Sequence, residues 1–180
     1  KCPGKIIVTG NTVLDNLIDL EISYNNDIVV TMHRRENIPI MKDWFSAINE
    51  LAKKYAGLRF VLPIHPNPAI REDAKVLTHV DVVDSMSHTT FIELLANCKF
   101  CITDSGGIQE ESSFLKKKAL VCRRETERPE GLGTFATLVE SPSVLGSCFE
   151  QIFYNYVPSG ECPYGDGHAS ETIVDVIRNL

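Results

Sequence analysis

Five short apolar runs, rich in β-branched side chains, constrain this chain more than any other feature. They occupy residues 28–32, 60–64, 80–83, 100–103 and 119–122, with a weaker sixth at 137–139. Each is too short for a helix and almost continuously apolar, the pattern of a strand covered on both faces. The segments between them carry helical periodicity. Trp44, Phe45, Ile48, Leu51, Ala52 and Tyr55 fall on one face, and Lys42, Glu50, Lys53 and Lys54 take the other. Phe91, Ile92, Leu94 and Leu95 open a second helix, and residues 107–115 and 144–154 give a third and fourth. The tail from 170 to 180 sets Ile173, Val174, Ile177 and Leu180 on one stripe. Strand and helix alternating at this spacing imply βαβ units and a mostly parallel sheet. The expected fold is therefore α/β, a doubly wound, Rossmann-like lobe occupying residues 1–180 as a single domain.

In such a sheet ligands bind beyond the carboxyl ends of the strands. Three runs are followed at once by unusual polar sequence: His33-Arg34-Arg35-Glu36-Asn37, His65-Pro66-Asn67-Pro68, and Asp104-Ser105-Gly106-Gly107-Ile108-Gln109-Glu110-Glu111. The last is the most informative. A strand that turns through Ser-Gly-Gly into a helix presents backbone N–H groups with no partner inside the helix. Gly106 and Gly107 remove the Cβ atoms that would hold a ligand away, Ser105 adds a hydroxyl, and the positive end of the helix dipole favours an anion such as a diphosphate. No Lys follows the glycines, so a triphosphate with magnesium is not implied. Of Glu110 and Glu111, one is expected on a solvated face, and the other one turn below the cradle, accepting from two vicinal ribose hydroxyls.

At the first strand end, Arg can clamp phosphate with paired N–H groups and His33 can donate to a leaving-group oxygen. The bland alternative is a charged loop with Arg35 and Glu36 paired in solvent. His65, set in a turn stiffened by two prolines, reads equally as a turn residue or a ligand contact. His79, His88 and His168 have no metal-ligand partner at useful spacing and read as surface or packing residues. Lys116, Lys117 and Lys118 close a helix, where cations offset the dipole. Arg123, Arg124 and Arg128 add cations to the same sheet edge.

Composition removes whole classes. A formal net charge of -6 argues against a duplex nucleic-acid binder, which needs a clustered basic face. No apolar run approaches the roughly 20 residues that cross a bilayer, so no membrane partner is expected, and Lys1-Cys2-Pro3-Gly4 has no signal-peptide shape. Six cysteines follow no disulfide or zinc spacing. Cys98 and Cys101 are the tempting pair, but Cys101 falls within a strand and reads as core. A reducing, cytoplasmic setting without metal or cofactor fits these features.

The residues also carry a resemblance. The strings 8–15 (Val-Thr-Gly-Asn-Thr-Val-Leu-Asp), 31–37 (Thr-Met-His-Arg-Arg-Glu-Asn), 65–68, 103–111, 126–130 (Thr-Glu-Arg-Pro-Glu) and 163–170 (Pro-Tyr-Gly-Asp-Gly-His-Ala-Ser) run in order along the chain. Together they resemble the non-hydrolysing UDP-N-acetylglucosamine 2-epimerases. The resemblance implies one lobe of a glycosyltransferase-B-like, two-lobe enzyme, usually a homodimer. The activity it implies is interconversion of UDP-N-acetylglucosamine and UDP-N-acetylmannosamine by elimination and re-addition of UDP. It further implies that Ser105, Gly106 and Gly107 hold the diphosphate, that Glu111 rather than Glu110 takes the ribose hydroxyls, and that Phe91 lies against the uracil. His33 would assist UDP departure and Arg128 would complete the anion site. His65 matches a histidine that contacts a second, activating UDP-N-acetylglucosamine in some bacterial members. Met86 departs from the polar residue the family often places there to read the base. The family's acid and base carboxylates belong to the N-terminal lobe, which this chain is expected to lack, so the isolated domain is expected to be inactive. Two other readings share these features: a stand-alone UDP-sugar-binding or regulatory module, and the donor-binding lobe of a glycosyltransferase.

Overall fold

A computed structural model describes residues 4–179; residues 1–3 and the last position of the C-terminal stripe, Leu180, lie outside it. Six strands form one sheet: β1 (Asp27–Thr31), β2 (Arg59–Pro63), β3 (Asp81–Val83), β4 (Phe100–Thr103), β5 (Ala119–Val121) and β6 (Ala136–Leu138). Their order is β3-β2-β1-β4-β5-β6, and every neighbouring pair is parallel. All six expected runs are strands, with boundaries displaced by about a residue, the usual uncertainty of an element end.

The runs at β1, β2, β4 and β5 are apolar because both faces are covered. Successive side chains of a strand point to opposite faces, and the core divides accordingly. Ile28, Val30, Phe60, Leu62, Phe100, Ile102 and Leu120 face helices α1 (Met41–Lys54), α2 (Pro68–Asp73) and α5 (Leu145–Phe153), through Trp44, Phe45, Ile48, Ile70 and Phe149. Val29, Cys101, Ala119 and Val121 face the other way, onto helices α3 (His88–Asn97) and α4 (Gly106–Phe114) and a 3-10 segment (Thr12–Leu17), through Ile92, Leu95, Leu115, Leu14 and Leu17. Phe149, fully buried, stacks on Phe60 at 5.9 Å and meets Phe100 edge-on at 5.1 Å. Burying such a ring contributes about 2–3 kcal/mol.

Two expectations need correction, on β3 and on the lysine triplet, and the terminal stripe has an environment of its own. β3 is not covered on both faces: it is an edge strand, with Asp81 and Val82 exposed. The apolar stripe of the last helix, α6 (Ala169–Arg178), faces outward, with Val174 and Ile177 43% and 63% exposed. That helix is tied down at its start instead, where Asp15 accepts from Ala169 N–H at 3.1 Å and Ser170 N–H at 2.7 Å. The lysine triplet is not a solvated cap either. α4 ends at Phe114, Lys116 takes a left-handed turn (φ 54), and Lys117 enters the core with no exposure. There its Nζ donates to the Ser23 carbonyl and lies 3.5 Å from the centre of the Tyr24 ring. Burial lowers its pKa to about 8.

Order along the sheet reverses at β1, which lies between β2 and β4. The register sets Thr31 opposite Thr103, their hydroxyls 2.6 Å apart. The polar sequences after β1 and β4 therefore leave the sheet side by side, at the crevice where open α/β folds take ligands.

Candidate functional site

The residue that organises this edge is Asp104, directly after β4 and fully buried. Its carboxylate accepts from His33 N–H at 3.1 Å to both oxygens, from Arg34 N–H at 2.9 Å and from Asn37 Nδ2 at 3.0 Å. Asn37, also buried, donates in addition to the Cys122 carbonyl at 3.0 Å. One carboxylate thus fixes the loop after β1 against the loop after β4, and Asn37 links both to the end of β5. His33 is left half exposed, with its Nδ1 3.8 Å from Asp104 and its ring stacked on His65 at 5.8 Å and 14°.

The next four residues form the start of α4. Ser105 holds the N-cap position in extended backbone, yet its hydroxyl makes no cap hydrogen bond. By contrast, Ser87 caps α3 by accepting from Thr90 N–H. The first N–H groups of α4, from Gly106 onward, have no acceptor among the described residues. A Cβ on Gly107 would come no nearer than 4.0 Å to any neighbour, whereas one on Gly106 would sit 3.2 Å from Glu127 Oε1 and 3.5 Å from an Arg34 nitrogen. So the edge offers open N–H donors with space in front of Gly107 and a guanidinium beside Gly106. Arg34 reaches Glu127 at 3.1 Å, while its Nε is buried without a partner among the described residues. Glu127 also pairs with Arg123, and its carboxyl is held below the ordinary range, first by a backbone N–H and then by the two arginines.

A cleft of about 330 Å³ opens beside them; Ser105 lines it, whereas Gly106, Gly107, Arg34 and Glu127 do not. Of the sequence-derived candidates, His33, His65, Phe91 and Ser105 line it, together with Met86, His88 and Ile108. Glu111 lies one turn below, 5% exposed, with its Oε1 accepting from His88 Nε2 at 2.9 Å. Burial raises the Glu111 pKa, and the His88 hydrogen bond opposes that rise. Arg128 stands apart from the cleft wall. Its guanidinium pairs with Glu110, which also accepts from Asn11 Nδ2 at 2.5 Å. One expectation is overturned here: Glu110 is on no solvated face but buried and ion-paired. His88 is largely at the surface, as expected, but its ring also meets Glu111. Glu36 pairs with Arg123 at 2.8 Å rather than with Arg35.

Asp104, Asn37 and His88 carry no distinctive spacing. Asp104 could have been marked by its place at the end of a buried run, where a charge must find donors. His88 and Glu111 are 23 positions apart, and only the fold shows that they meet. The tempting Cys98 and Cys101 are both fully buried. Burial pushes the Cys98 thiol up to about 12 and Cys101 well above its ordinary value, so neither is a reactive thiolate. A larger groove of about 850 Å³, walled by Val8, Ile18, Ile22, Phe114 and Tyr164, contains none of the candidate residues. Among the described residues no helix is long and apolar enough to cross a membrane, and no three His, Cys, Asp or Glu side chains are grouped to hold a metal.

Fold and site together define a Rossmann-like lobe whose sheet edge presents open helix N–H groups, an apolar aromatic wall and a buried carboxylate. The profile of the UDP-N-acetylglucosamine 2-epimerases matches residues 1–178, and the chain belongs to that family. It is 34% identical to the UDP-N-acetylglucosamine 2-epimerase of Salmonella borreze over 97% of this chain and 55% of that protein. Against the Bacillus subtilis enzyme the values are 33%, 97% and 52%. Among solved structures, S. aureus MnaA with UDP superposes with a TM-score of 0.85 at 32% identity, covering 96% of this chain and 53% of that one. The Neisseria meningitidis enzyme bound to UDP-GlcNAc gives 0.84 at 32%, covering 98% and 56%. The chain spans about half the length of the relatives it matches.

Proposed function

We propose that this chain is the UDP-binding lobe of a two-lobe UDP-N-acetylglucosamine 2-epimerase, which eliminates and re-adds UDP to interconvert UDP-N-acetylglucosamine and UDP-N-acetylmannosamine. The observation that carries the reading is the start of α4: an uncapped helix N-terminus at the sheet's switch point, opening on a cleft with Phe91 on its wall. The N–H groups around Ser105, Gly106 and Gly107 take the diphosphate, where the helix dipole favours negative charge. Phe91, with Met86 beside it, packs on the uracil face. Glu111 accepts from the ribose hydroxyls. His33, held by Asp104 at the mouth of the cleft, donates toward the departing diphosphate, whose charge grows as the bond to the sugar breaks; a donor placed for that charge lowers the barrier rather than merely binding substrate. Arg128 acts indirectly, by holding Glu110 beside Glu111. His65, stacked on His33, is the contact for an activating second nucleotide sugar.

The proton chemistry at C2 falls to carboxylates of an N-terminal lobe outside this sequence, a division supported by the half-length coverage of the relatives. The full protein works as a homodimer in the cytoplasm, a setting that suits buried free thiols. Calorimetric titration of the chain with UDP tests the reading. The expected result is weak but measurable binding, loss of about tenfold or more in affinity for Glu111→Ala, and no epimerase turnover. Unchanged affinity in that variant overturns the ribose assignment, and turnover by the chain alone overturns the division of labour.

A further inference from the structure

The Glu111 carboxylate is buried among groups that do not favour its charge. Within its own helix it has Glu110 beside it, which is occupied by Arg128 and Asn11. From β4 beneath, the nearby Cys101 thiol supplies no positive charge. From α3, one side chain supports it: His88, whose Nε2 donates to Oε1 at 2.9 Å. His88 is 63% exposed while its partner is 6% exposed, so the imidazole reaches inward from the cleft wall to a carboxylate that solvent barely touches. A vicinal diol needs two acceptor oxygens, both without a proton, aimed at one point. A buried carboxyl with no donor is prone to take up a proton and to rotate.

We propose that His88 is a positioning residue for ribose recognition: its hydrogen bond to one Glu111 oxygen holds the carboxylate ionised and oriented, so that the protein distinguishes ribose from 2′-deoxyribose nucleotides. The inference rests on the reading of the cleft as a UDP site. His88 sits at the first position of α3, with its backbone in the helix that also carries Phe91. The same helix therefore sets the base wall and the support for the ribose carboxylate, which couples recognition of the two halves of the nucleoside. The sign of the pH effect follows from the groups named. Burial and Glu110 push the Glu111 pKa up and His88 pulls it down, so removing His88 raises it further. The acid-side loss of ribose recognition then moves to higher pH.

The test is a titration of UDP and 2′-deoxy-UDP into the wild-type chain, His88→Ala and His88→Gln, across pH. In the wild type, UDP is expected to bind about tenfold more tightly than 2′-deoxy-UDP. In His88→Ala that ratio is expected to fall to about threefold or less, with the acid limb of UDP binding displaced to higher pH. In His88→Gln, whose amide can donate to the same oxygen, the ratio is expected to recover in part. A general loss of structure would weaken both nucleotides equally and leave the ratio unchanged, and that outcome overturns the proposal. So does an unshifted acid limb in His88→Ala. Failure of the wild-type chain to bind UDP at all is a different result: it removes the underlying UDP reading.

Discussion

Replacing Asp104 by asparagine keeps the size of the side chain and removes its charge and one acceptor. The wild-type carboxylate accepts four contacts from three donors, namely His33 N–H, Arg34 N–H and Asn37 Nδ2. With its oxygen at the Oδ2 place, the new amide keeps Arg34, Asn37 and one of the two His33 contacts, but turns an NH2 group toward the His33 N–H where Oδ1 stood. Hydrogen bonds to charged groups contribute about 1.5–3 kcal/mol and neutral ones about 0.5–1.5, so the three retained contacts lose roughly 1 kcal/mol each. The donor facing a donor costs about 1–3 kcal/mol more. Relief of the buried charge offsets part of this. A net loss of about 3 kcal/mol is expected, or about 6–12 °C in Tm for a domain of this size. The assay is thermal unfolding by circular dichroism, paired with UDP calorimetry. Because the loop carrying His33 and Arg34 loses its anchor, UDP affinity should fall along with Tm. A variant as stable as the wild type, with unchanged UDP binding, would falsify the assignment of Asp104 as the organiser of the edge.

Two further perturbations probe the scaffold. The depressed pKa of Lys117, about 8 against an ordinary 10.5, means that its stabilising deprotonation is complete above 10.5 and is lost as pH falls through about 8. Relative to Lys117→Met, the wild type should therefore gain stability between those values; urea unfolding at about pH 7.5 and about pH 10 checks it, and a constant difference refutes it. Gly167 has φ +89, and a Cβ there would lie 2.7 Å from Ile18 Cγ1 and 3.1 Å from Phe114 Cζ. Gly167→Ala should cost about 2–3 kcal/mol through strain and overpacking, measurable as a lower urea midpoint; a midpoint equal to wild type would contradict the packing described.

Local sequence reveals the sheet and its cradle because each depends on neighbouring residues. A buried parallel strand announces itself as an apolar run, and Ser105-Gly106-Gly107 marks a strand-to-helix turn by residue type alone. What escaped detection depends on contacts across the fold. His88 and Glu111 come from different helices, and Glu110 meets Asn11 from 99 positions away. Lys117 misled because a lysine after a helix is ordinarily a solvated cation, and nothing nearby in sequence shows the Ser23 carbonyl that receives it. The stripe of α6 is a different case: helical periodicity shows that an apolar face exists, not that this lobe covers it. At β3 the apolar run is genuine, but an edge strand has a neighbour on one side only, so Val82 stays exposed.

The central claim is that UDP binds at the start of α4, and amide chemical shifts during a UDP titration test it most directly. The expected result is saturable perturbation of the Ser105, Gly106, Gly107 and Ile108 amides, extending to Phe91 and Glu111. Shifts confined to the groove walled by Val8, Ile18 and Tyr164, or no shifts at all, would contradict it.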